Sequence, residues 1–425
     1  MMQEQKQEEQ EMVRQIPGGV CAAKGFEASA AQAGIKYEGR MDMALLYSKT
    51  PCTAAGTFTT NVVKAAPVVW DRTLVREKGQ KVRAVVINSG IANACTGEEG
   101  MKVCNETAKE ASLALHLAPE EVLIASTGVI GMPIPMDRIK KGIHLLADKK
   151  GHSREEGDLA AHAILTTDTH DKQVAVEFSL KGNDQKEVTC TIGGMAKGSG
   201  MIHPGMCTML CFISTDVAIS RDLLQKALSQ AVDDSFNMIS VDGDMSTNDT
   251  VLVLSNGYAG NDIINEENEE YQCFLAALSF VTRALAMEIA KDGEGATKLI
   301  TSQVIHADTK EHARILAKSV IQSNLTKAAL FGKDANWGRV LCALGYAGVD
   351  FDPENVDLYF EAGGKSMLIY AKGKGTDFSE KEAKELLSED TVTILSDMHM
   401  GQEEATAWGC DLTYNYVKIN ADYRS

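Results

Sequence analysis

The sequence lacks any Cys-x-x-Cys pair, although its 425 residues include ten cysteines. That spacing marks many zinc sites and redox motifs, whereas disulfide frameworks belong mainly to short secreted chains. The histidines are scattered as well, and no spacing typical of metal ligands is found for His162, His170, His306, His312 or His399. We therefore predict reduced thiols, no metal and a cytoplasmic location.

The chain is also poor in positive charge and in long apolar runs. Its 59 acidic and 42 basic residues give a formal net charge of −17, which argues against nucleic acid as a partner, because phosphate backbones bind basic surfaces. The longest stretch without a formal charge, Gly198 to Thr215, contains glycines and a proline, and the polar segment Met1 to Arg14 has no apolar core. These features predict neither a membrane span nor a signal peptide.

Short apolar runs alternate with segments of helical periodicity. Residues 84–87 and 122–125 read as buried strands that stop at turn-forming residues. Apolar residues at helical spacing predict helices over Gly100 to Leu117 and over Gln272 to Lys291. The pattern predicts an α/β or α+β fold and leaves the order of the strands open.

The chain, at 425 residues, is longer than a domain with a single hydrophobic core usually is. We therefore expect a large domain and a smaller one, with a weak boundary near Thr301-Ser302, after a Gly-Glu-Gly turn.

The most informative segment is the glycine-rich turn from Lys197 that runs through Cys207-Thr208 into an apolar run. A threonine hydroxyl in mid-chain is a poor nucleophile. If the peptide bond before Thr208 breaks, the freed α-amine, with an unperturbed pKa of about 7.7–8.0, lies beside that hydroxyl and can take its proton. We interpret the segment as a self-cleavage site; the alternative is that the glycines mark ordinary turns and Thr208 opens a buried strand.

This segment and seven further blocks resemble one known family, the ornithine acetyltransferase (glutamate N-acetyltransferase) family of arginine biosynthesis. The eight blocks are Lys197-Gly198-Ser199-Gly200-Met201-Ile202 continuing to Leu210, Asn88-Ser89-Gly90 continuing to Gly97, Ser126-Thr127-Gly128-Val129-Ile130-Gly131, Thr166-Thr167-Asp168-Thr169, Ser240-Val241-Asp242-Gly243-Asp244, Asp292-Gly293-Glu294-Gly295-Ala296-Thr297-Lys298, Gly332 to Arg339, and Asn420-Ala421-Asp422-Tyr423-Arg424-Ser425. One departure is that the family usually has alanine where this chain has Cys207.

The resemblance implies a layered α-β-β-α sandwich of the self-processing N-terminal-nucleophile type with a smaller C-terminal α+β domain. It also implies cleavage between Cys207 and Thr208 into fragments 1–207 and 208–425, assembled as a heterotetramer of two of each. Within the second fragment we place the smaller domain at about 302–415, followed by a tail, 416–425, that returns to the active site.

Two donors are needed for the oxyanion of an acyl transfer, and the end of the predicted strand 122–125 can supply them. The Thr127 hydroxyl and the Gly128 N–H are the candidates, and the resemblance assigns them this role. The alternative is a plain strand-ending turn.

An amino-acid substrate presents a carboxylate and an ammonium group, which call for a basic and an acidic partner. Lys197 is a candidate for the first, and Glu294, on a tight turn, for the second. The family resemblance places in the pocket Thr167, Lys197, Thr208, Glu294, Asn420 and Ser425. Which of Thr166, Thr167 and Thr169 faces the substrate is left open.

Other reactive side chains near the cleavage site are assigned ordinary roles. We interpret His203 as a loop histidine, and Cys207 and Cys211 as small hydrophobic residues. The Gly-x-Gly pattern at Gly198-Ser199-Gly200 has neither the phosphate-loop nor the dinucleotide spacing, so no nucleotide cofactor is predicted.

The predicted reaction is a ping-pong transfer of the acetyl group from N2-acetylornithine to glutamate through an acetyl-Thr208 ester. Because no basic, glycine-rich loop suited to the phosphates of CoA is evident, we expect acetyl-CoA to be a poor donor or none. The alternatives are a bifunctional enzyme that also uses acetyl-CoA, a self-processing aminopeptidase, and a binding protein in which Thr208 stays internal.

Overall fold

A computed structural model describes residues 13–79, 81–182, 186–203 and 209–422. The chain divides into two compact units. The larger unit comprises Met1–Gly198, Gly205–Val232 and Met245–Leu285, and the smaller comprises Ser199–Pro204, Asp233–Asp244 and Ala286–Ser425. Cys207, Thr208 and Ser425 lie outside the described residues.

A nine-stranded sheet forms the frame of the larger unit. Its first layer contains β2 (Phe26–Ala31), β3 (Met43–Phe58), β4 (Val82–Asn88) and β5 (Val122–Ser126). Strand β3 pairs antiparallel with β2 and β4, and β4 pairs parallel with β5. The predicted strands 84–87 and 122–125 are therefore confirmed, and the structure shows in addition that they are parallel neighbours.

The second layer continues from the far half of β3. It contains β1 (Arg14–Ile16), β6 (Lys172–Lys181), β7 (Glu187–Lys197), β8 (Leu210–Thr215) and β10 (Thr250–Ser255), in the order β1-β6-β7-β8-β10-β3. Strand β3 joins the layers, because its residues 43–47 pair with both β2 and β4, whereas residues 53–58 pair with β10.

Alternating side chains of the strands build the core between the two layers. Leu46, Ile87 and Leu123 of the first layer share one buried cluster with Phe212 and Leu252 of the second. This arrangement follows from the period of two along a strand, which sends every second side chain to the same face.

Helices cover both outer faces. The larger unit contains α1 (Ala66–Lys78), α2 (Gly97–Leu115), α3 (Met136–Lys149), α4 (Arg154–Ala163), α5 (Arg221–Asp233) and α6 (Glu269–Lys291), the last continuing into the smaller unit. Cys104 and Ala108 of α2 and Ile143 of α3 pack on the outer face of the first layer. The predicted layered α-β-β-α sandwich is confirmed.

Helix α6 lies against the second layer. A Cβ built on Gly194 of β7 would lie 2.9 Å from Leu285 Cδ1 and 3.2 Å from Val281 Cγ1, so the absent side chain lets the helix approach. By length and composition α6 is the one described helix that could cross a membrane, and half of its most apolar window is buried. Core helices of soluble proteins share these properties, so this is weak evidence for a membrane span.

The smaller unit is an α+β fold on a seven-stranded sheet. The strands are β9 (Ile239–Ser240), β11 (Leu299–Ala307), β12 (Asp357–Ala362), β13 (Lys365–Ala371), β14 (Lys374–Gly375), β15 (Thr391–Asp397) and β16 (Glu403–Cys410). Their order in the sheet is β14-β13-β12-β15-β11-β16-β9. The helices are α7 (Lys310–Gln322), α8 (Asn324–Phe331), α9 (Trp337–Gly345), α10 (Glu380–Leu386) and α11 (Tyr414–Ala421).

The boundary predicted near Thr301-Ser302 falls inside β11, and the C-terminal part of the smaller unit begins earlier, at Ala286. The Gly-Glu-Gly turn therefore lies inside the smaller unit and does not mark its start.

Candidate active site

The loop after β5 carries the two predicted oxyanion donors. Thr127 is 2% exposed, and its backbone N–H donates to the Asn88 carbonyl at 3.0 Å. Gly128 has a φ of +128°, and a Cβ there would lie 2.3 Å from the carbonyl carbon of Gly90. Only glycine fits this backbone, because the loops that follow β4 and β5 touch at this point.

Hydrogen bonds fix this loop on both sides of Thr127. Ser126 Oγ accepts from the Asn93 N–H at 2.9 Å, and the Val129 N–H donates to the Gly90 carbonyl at 3.1 Å. Within the described residues no group accepts from the Gly128 N–H. The loop is therefore rigid and retains a backbone donor for a ligand.

Lys197, at the end of β7, lies in a buried ionic cluster. Its ammonium donates to Thr166 Oγ1 at 2.8 Å and lies 3.6 Å from Asp168 Oδ2. Asp168 Oδ1 accepts from Lys172 Nζ at 2.8 Å and from the Gly198 N–H at 2.6 Å. The side chains of Lys197, Asp168 and Lys172 are 2%, 0% and 0% exposed.

Two lysines and one aspartate leave this cluster with a net positive charge. Burial alone would raise the pKa of Asp168, but the ammonium groups of Lys197 and Lys172 and the Gly198 N–H outweigh it and hold that pKa well below its ordinary value. Asp168 is therefore ionised and compensates one of the two cations. The remaining charge suits a substrate carboxylate.

Sequence reasoning included Asp168 in a motif but missed Lys172. Its spacing of four residues from Asp168 was a weak signal, because that spacing does not show that both side chains are fully buried. The hydroxyl in contact with Lys197 belongs to Thr166, whereas the pocket prediction named Thr167.

The strand register brings Lys197 near the predicted cleavage point. Leu210 of β8 pairs with Lys197 of β7 on one side and with Thr250 of β10 on the other. Met209, the residue after Thr208 in the sequence, donates its N–H to Asp249 Oδ1 at 3.1 Å. Lys197 is thus eleven positions before Thr208 in sequence but opposite a residue only two positions after it.

In the smaller unit the structure brings Glu294 and Asn420 together, as the pocket prediction requires. Asn420 Nδ2, on α11, donates to Glu294 Oε2 at 2.8 Å. Glu294 is 8% exposed, and a Cβ on Gly200 would lie 2.5 Å from its carboxylate. The C-terminal helix therefore holds an acidic group against the glycine-rich segment.

Asp242 holds the same glycine-rich segment, a role the sequence did not reveal. Its carboxylate accepts from the Met201 N–H at 2.7 Å and the Ile202 N–H at 2.9 Å. The Tyr416 hydroxyl donates to Asp242 at 3.2 Å. The pKa of this phenol is raised above its ordinary range, mainly by burial and also by the negative charge of Asp242.

Cys211 and His203 match their assigned roles. Cys211 is fully buried in β8, where burial raises the pKa of its thiol, and His203 lies in a loop. Spacing along the chain gave no sign that His306 and His399 lie close together. Parallel pairing of β11 with β15 places their Nδ1 atoms 2.8 Å and 3.3 Å from Asp397 Oδ1, and these groups could hold a metal ion.

Known proteins are similar in sequence to this chain over nearly its whole length. A model described as the ArgJ family matches residues 27–425. A protein of Symbiobacterium thermophilum named "Arginine biosynthesis bifunctional protein ArgJ" is 53% identical over 412 residues, which cover 96% of this chain and 99% of that protein. The protein of the same name from Caldanaerobacter subterraneus is 49% identical over 410 residues, with 96% and 99% covered.

Among solved structures, the crystal structure of an ornithine acetyltransferase complexed with ornithine from Mycobacterium tuberculosis is similar to part of this chain. It is 39% identical, with a TM-score of 0.40, and the match covers 45% of this chain and 98% of that one.

Proposed function

The chain belongs to the ArgJ family, and from that membership we propose that this arginine-biosynthesis enzyme moves the acetyl group of N2-acetylornithine to glutamate. The products are ornithine and N-acetylglutamate. The observation that carries the proposal is the buried cluster of Lys197, Asp168 and Lys172, whose net positive charge lies beside the strand that follows Thr208.

The proposed nucleophile is Thr208, released by cleavage after Cys207. Its hydroxyl attacks the acetyl carbonyl while its own α-amine takes the hydroxyl proton. The oxyanion that forms is stabilised by the Thr127 hydroxyl and the Gly128 N–H. Support comes from the rigid loop after β5 and from the unused N–H of Gly128 among the described residues.

Collapse of this intermediate breaks the bond to the nitrogen of ornithine, which leaves with the proton held by the α-amine. The acetyl group stays on Thr208 as an ester. The α-amine of glutamate then attacks the ester, its proton passes to the Thr208 amine, and the hydroxyl is restored as N-acetylglutamate departs. Each half-reaction uses the same base and the same oxyanion donors.

We assign the substrate carboxylate to Lys197, because its buried ammonium belongs to a cluster with a net positive charge, which favours binding of an anion. The ornithine ammonium is assigned to Glu294, whose carboxylate Asn420 orients. Thr167 and Ser425 complete the proposed pocket by similarity to the family, and Thr166 is added through its bond to Lys197.

For assembly and location, we propose fragments 1–207 and 208–425 in a heterotetramer of two of each, in the cytoplasm. Light scattering on the cleaved protein tests the assembly. A native mass of one copy of each fragment would contradict it.

The function is tested by acetyl transfer from N2-acetylornithine to glutamate with the wild-type enzyme and with Thr208→Ala. We expect transfer by the wild type, and we expect Thr208→Ala to remain one uncleaved chain without activity. Hydrolysis of short peptides in place of transfer would favour the aminopeptidase alternative, and a fully folded, uncleaved and inactive wild type would favour the binding protein.

A second donor is a specific alternative, because the named relatives are called bifunctional. We retain acetylornithine as the main donor, and glutamate incubated with acetyl-CoA alone decides the point. N-acetylglutamate formation at a rate comparable to that from acetylornithine would establish the second activity.

A further inference from the structure

The dipeptide Asn248-Asp249 lies directly before β10, at the same end of the second layer as Met209, which lies directly before β8. Strands β8 and β10 are parallel neighbours, with Thr250 opposite Leu210. Residues just before the two strands therefore lie at the same end of the sheet. The dipeptide has no role in the function proposed above.

Asn248 contacts the loop that carries the oxyanion donors. Its side chain is almost buried, at 7% exposed, and Nδ2 donates to the Ser126 carbonyl at 2.9 Å. That carbonyl belongs to the peptide bond that joins Ser126 to Thr127. The amide therefore holds the first peptide of the donor loop.

Asp249 contacts the other half of the site. It is 0% exposed, and Oδ1 accepts from the Met209 N–H, three covalent bonds from the α-nitrogen of Thr208. Within the described residues Oδ2 has no hydrogen-bond partner. A buried carboxyl group is costly to retain, so its bond to this amide points to a specific role.

We propose that Asn248 and Asp249 are positioning residues for acyl transfer, which set the oxyanion donors and the nucleophile's strand in one fixed relation. The inference rests on the proposed roles of Thr208, Thr127 and Gly128. Among the described residues, the contacts that carry this assignment are with the Ser126 carbonyl and the Met209 N–H. Their effect comes from geometry, because a displacement of about 1 Å between reacting groups can cost about a hundred-fold in rate.

The bond to Met209 requires an acceptor but not a negative charge. Burial raises the pKa of Asp249 well above its ordinary value, against the smaller opposing effects of the Met209 N–H, the Thr59 side chain and Lys197. Asparagine keeps an acceptor oxygen at this position without a charge, so it is the isostere that separates the acceptor from the charge.

Four variants test the proposal: Asn248→Ala, Asp249→Ala, Asp249→Asn and the matched control Ser214→Ala. Ser214 lies on the same strand as Leu210, is buried, and donates to the Val20 carbonyl at 2.7 Å, away from the site. Each purified variant is assayed per mole of cleaved enzyme, and its melting temperature is recorded.

We expect kcat to fall by about ten-fold or more in Asn248→Ala and Asp249→Ala, with KM for acetylornithine changed by less than about three-fold. Asp249→Asn should keep most of the wild-type kcat, and Ser214→Ala should lose melting temperature without losing kcat. Loss of stability alone would affect all the truncations alike.

Values of kcat in both alanine variants equal to that of Ser214→Ala would overturn the inference. An Asp249→Asn enzyme as slow as Asp249→Ala would overturn the acceptor role assigned to Asp249. If Asp249→Ala does not fold, Asn248→Ala decides, and a wild-type kcat there contradicts the proposal. A wild type that transfers no acetyl group contradicts the proposed function instead.

Discussion

Replacing Thr127 with valine removes one oxyanion donor and leaves the loop in place. The side chain is 2% exposed, valine has nearly the same shape, and the bond from the Thr127 N–H to Asn88 involves only the backbone. Removing one oxyanion donor costs about 2.7–4 kcal/mol of transition-state stabilisation, which is a fall of about 10²–10³ in kcat. The KM for acetylornithine should change little, because the oxyanion forms only during the reaction.

The assay is steady-state transfer to glutamate by cleaved enzyme, beside Thr282→Val as a control. Thr282 is a buried threonine of α6 whose hydroxyl donates within the helix to the Ser279 carbonyl at 3.2 Å. Thr282→Val loses the same hydroxyl from a helix that does not carry the oxyanion donors, and it should keep its kcat. A Thr127→Val enzyme with normal kcat and a raised KM would refute the oxyanion role and move Thr127 into the substrate pocket.

Two further variants probe the same site. Gly128→Ala forces a Cβ to within 2.3 Å of Gly90 at a φ of +128°, so the loop must move and transfer should fall by at least as much as in Thr127→Val; a crystal structure with an unmoved loop would contradict this. Asp168→Asn leaves two buried ammonium groups without their carboxylate and should lower the free energy of unfolding by about 3–5 kcal/mol at pH 7, measured by urea denaturation. The pKa of Asp168 is lower in the folded than in the unfolded protein. The difference in unfolding free energy between wild type and Asp168→Asn should therefore be complete above the unfolded pKa of about 3.9 and disappear as the pH falls through the lower folded pKa. A difference that does not depend on pH would contradict the ion-pair account.

The sequence predicted the parts of the fold that local pattern determines. The apolar runs that end at Asn88 and Ser126 became β4 and β5, and the periodic segment from Gln272 became most of α6. In each case the hydrophobic pattern and the terminating residues agree, so no tertiary contact had to be known.

Features that depend on strand register could not be predicted in the same way. Lys172 joins Lys197 only because β6 and β7 pair, and Asn248 reaches Ser126 only because the two layers face each other. The His306 and His399 contact likewise needs the parallel pairing of β11 with β15. Such contacts join residues distant in sequence, and a single sequence carries little signal for them.

The most direct test of the central claim is the intact mass of the fragments after incubation with N2-acetylornithine in the absence of glutamate. The account predicts a second fragment that begins with Thr208, becomes heavier by one acetyl group, and loses that mass when glutamate is added. N-terminal sequencing before the incubation fixes the start of the fragment, and peptide mapping after it locates the modification. An unmodified fragment in an enzyme that still transfers acetyl groups, or an acetyl group on any other residue, would contradict the acetyl-Thr208 mechanism.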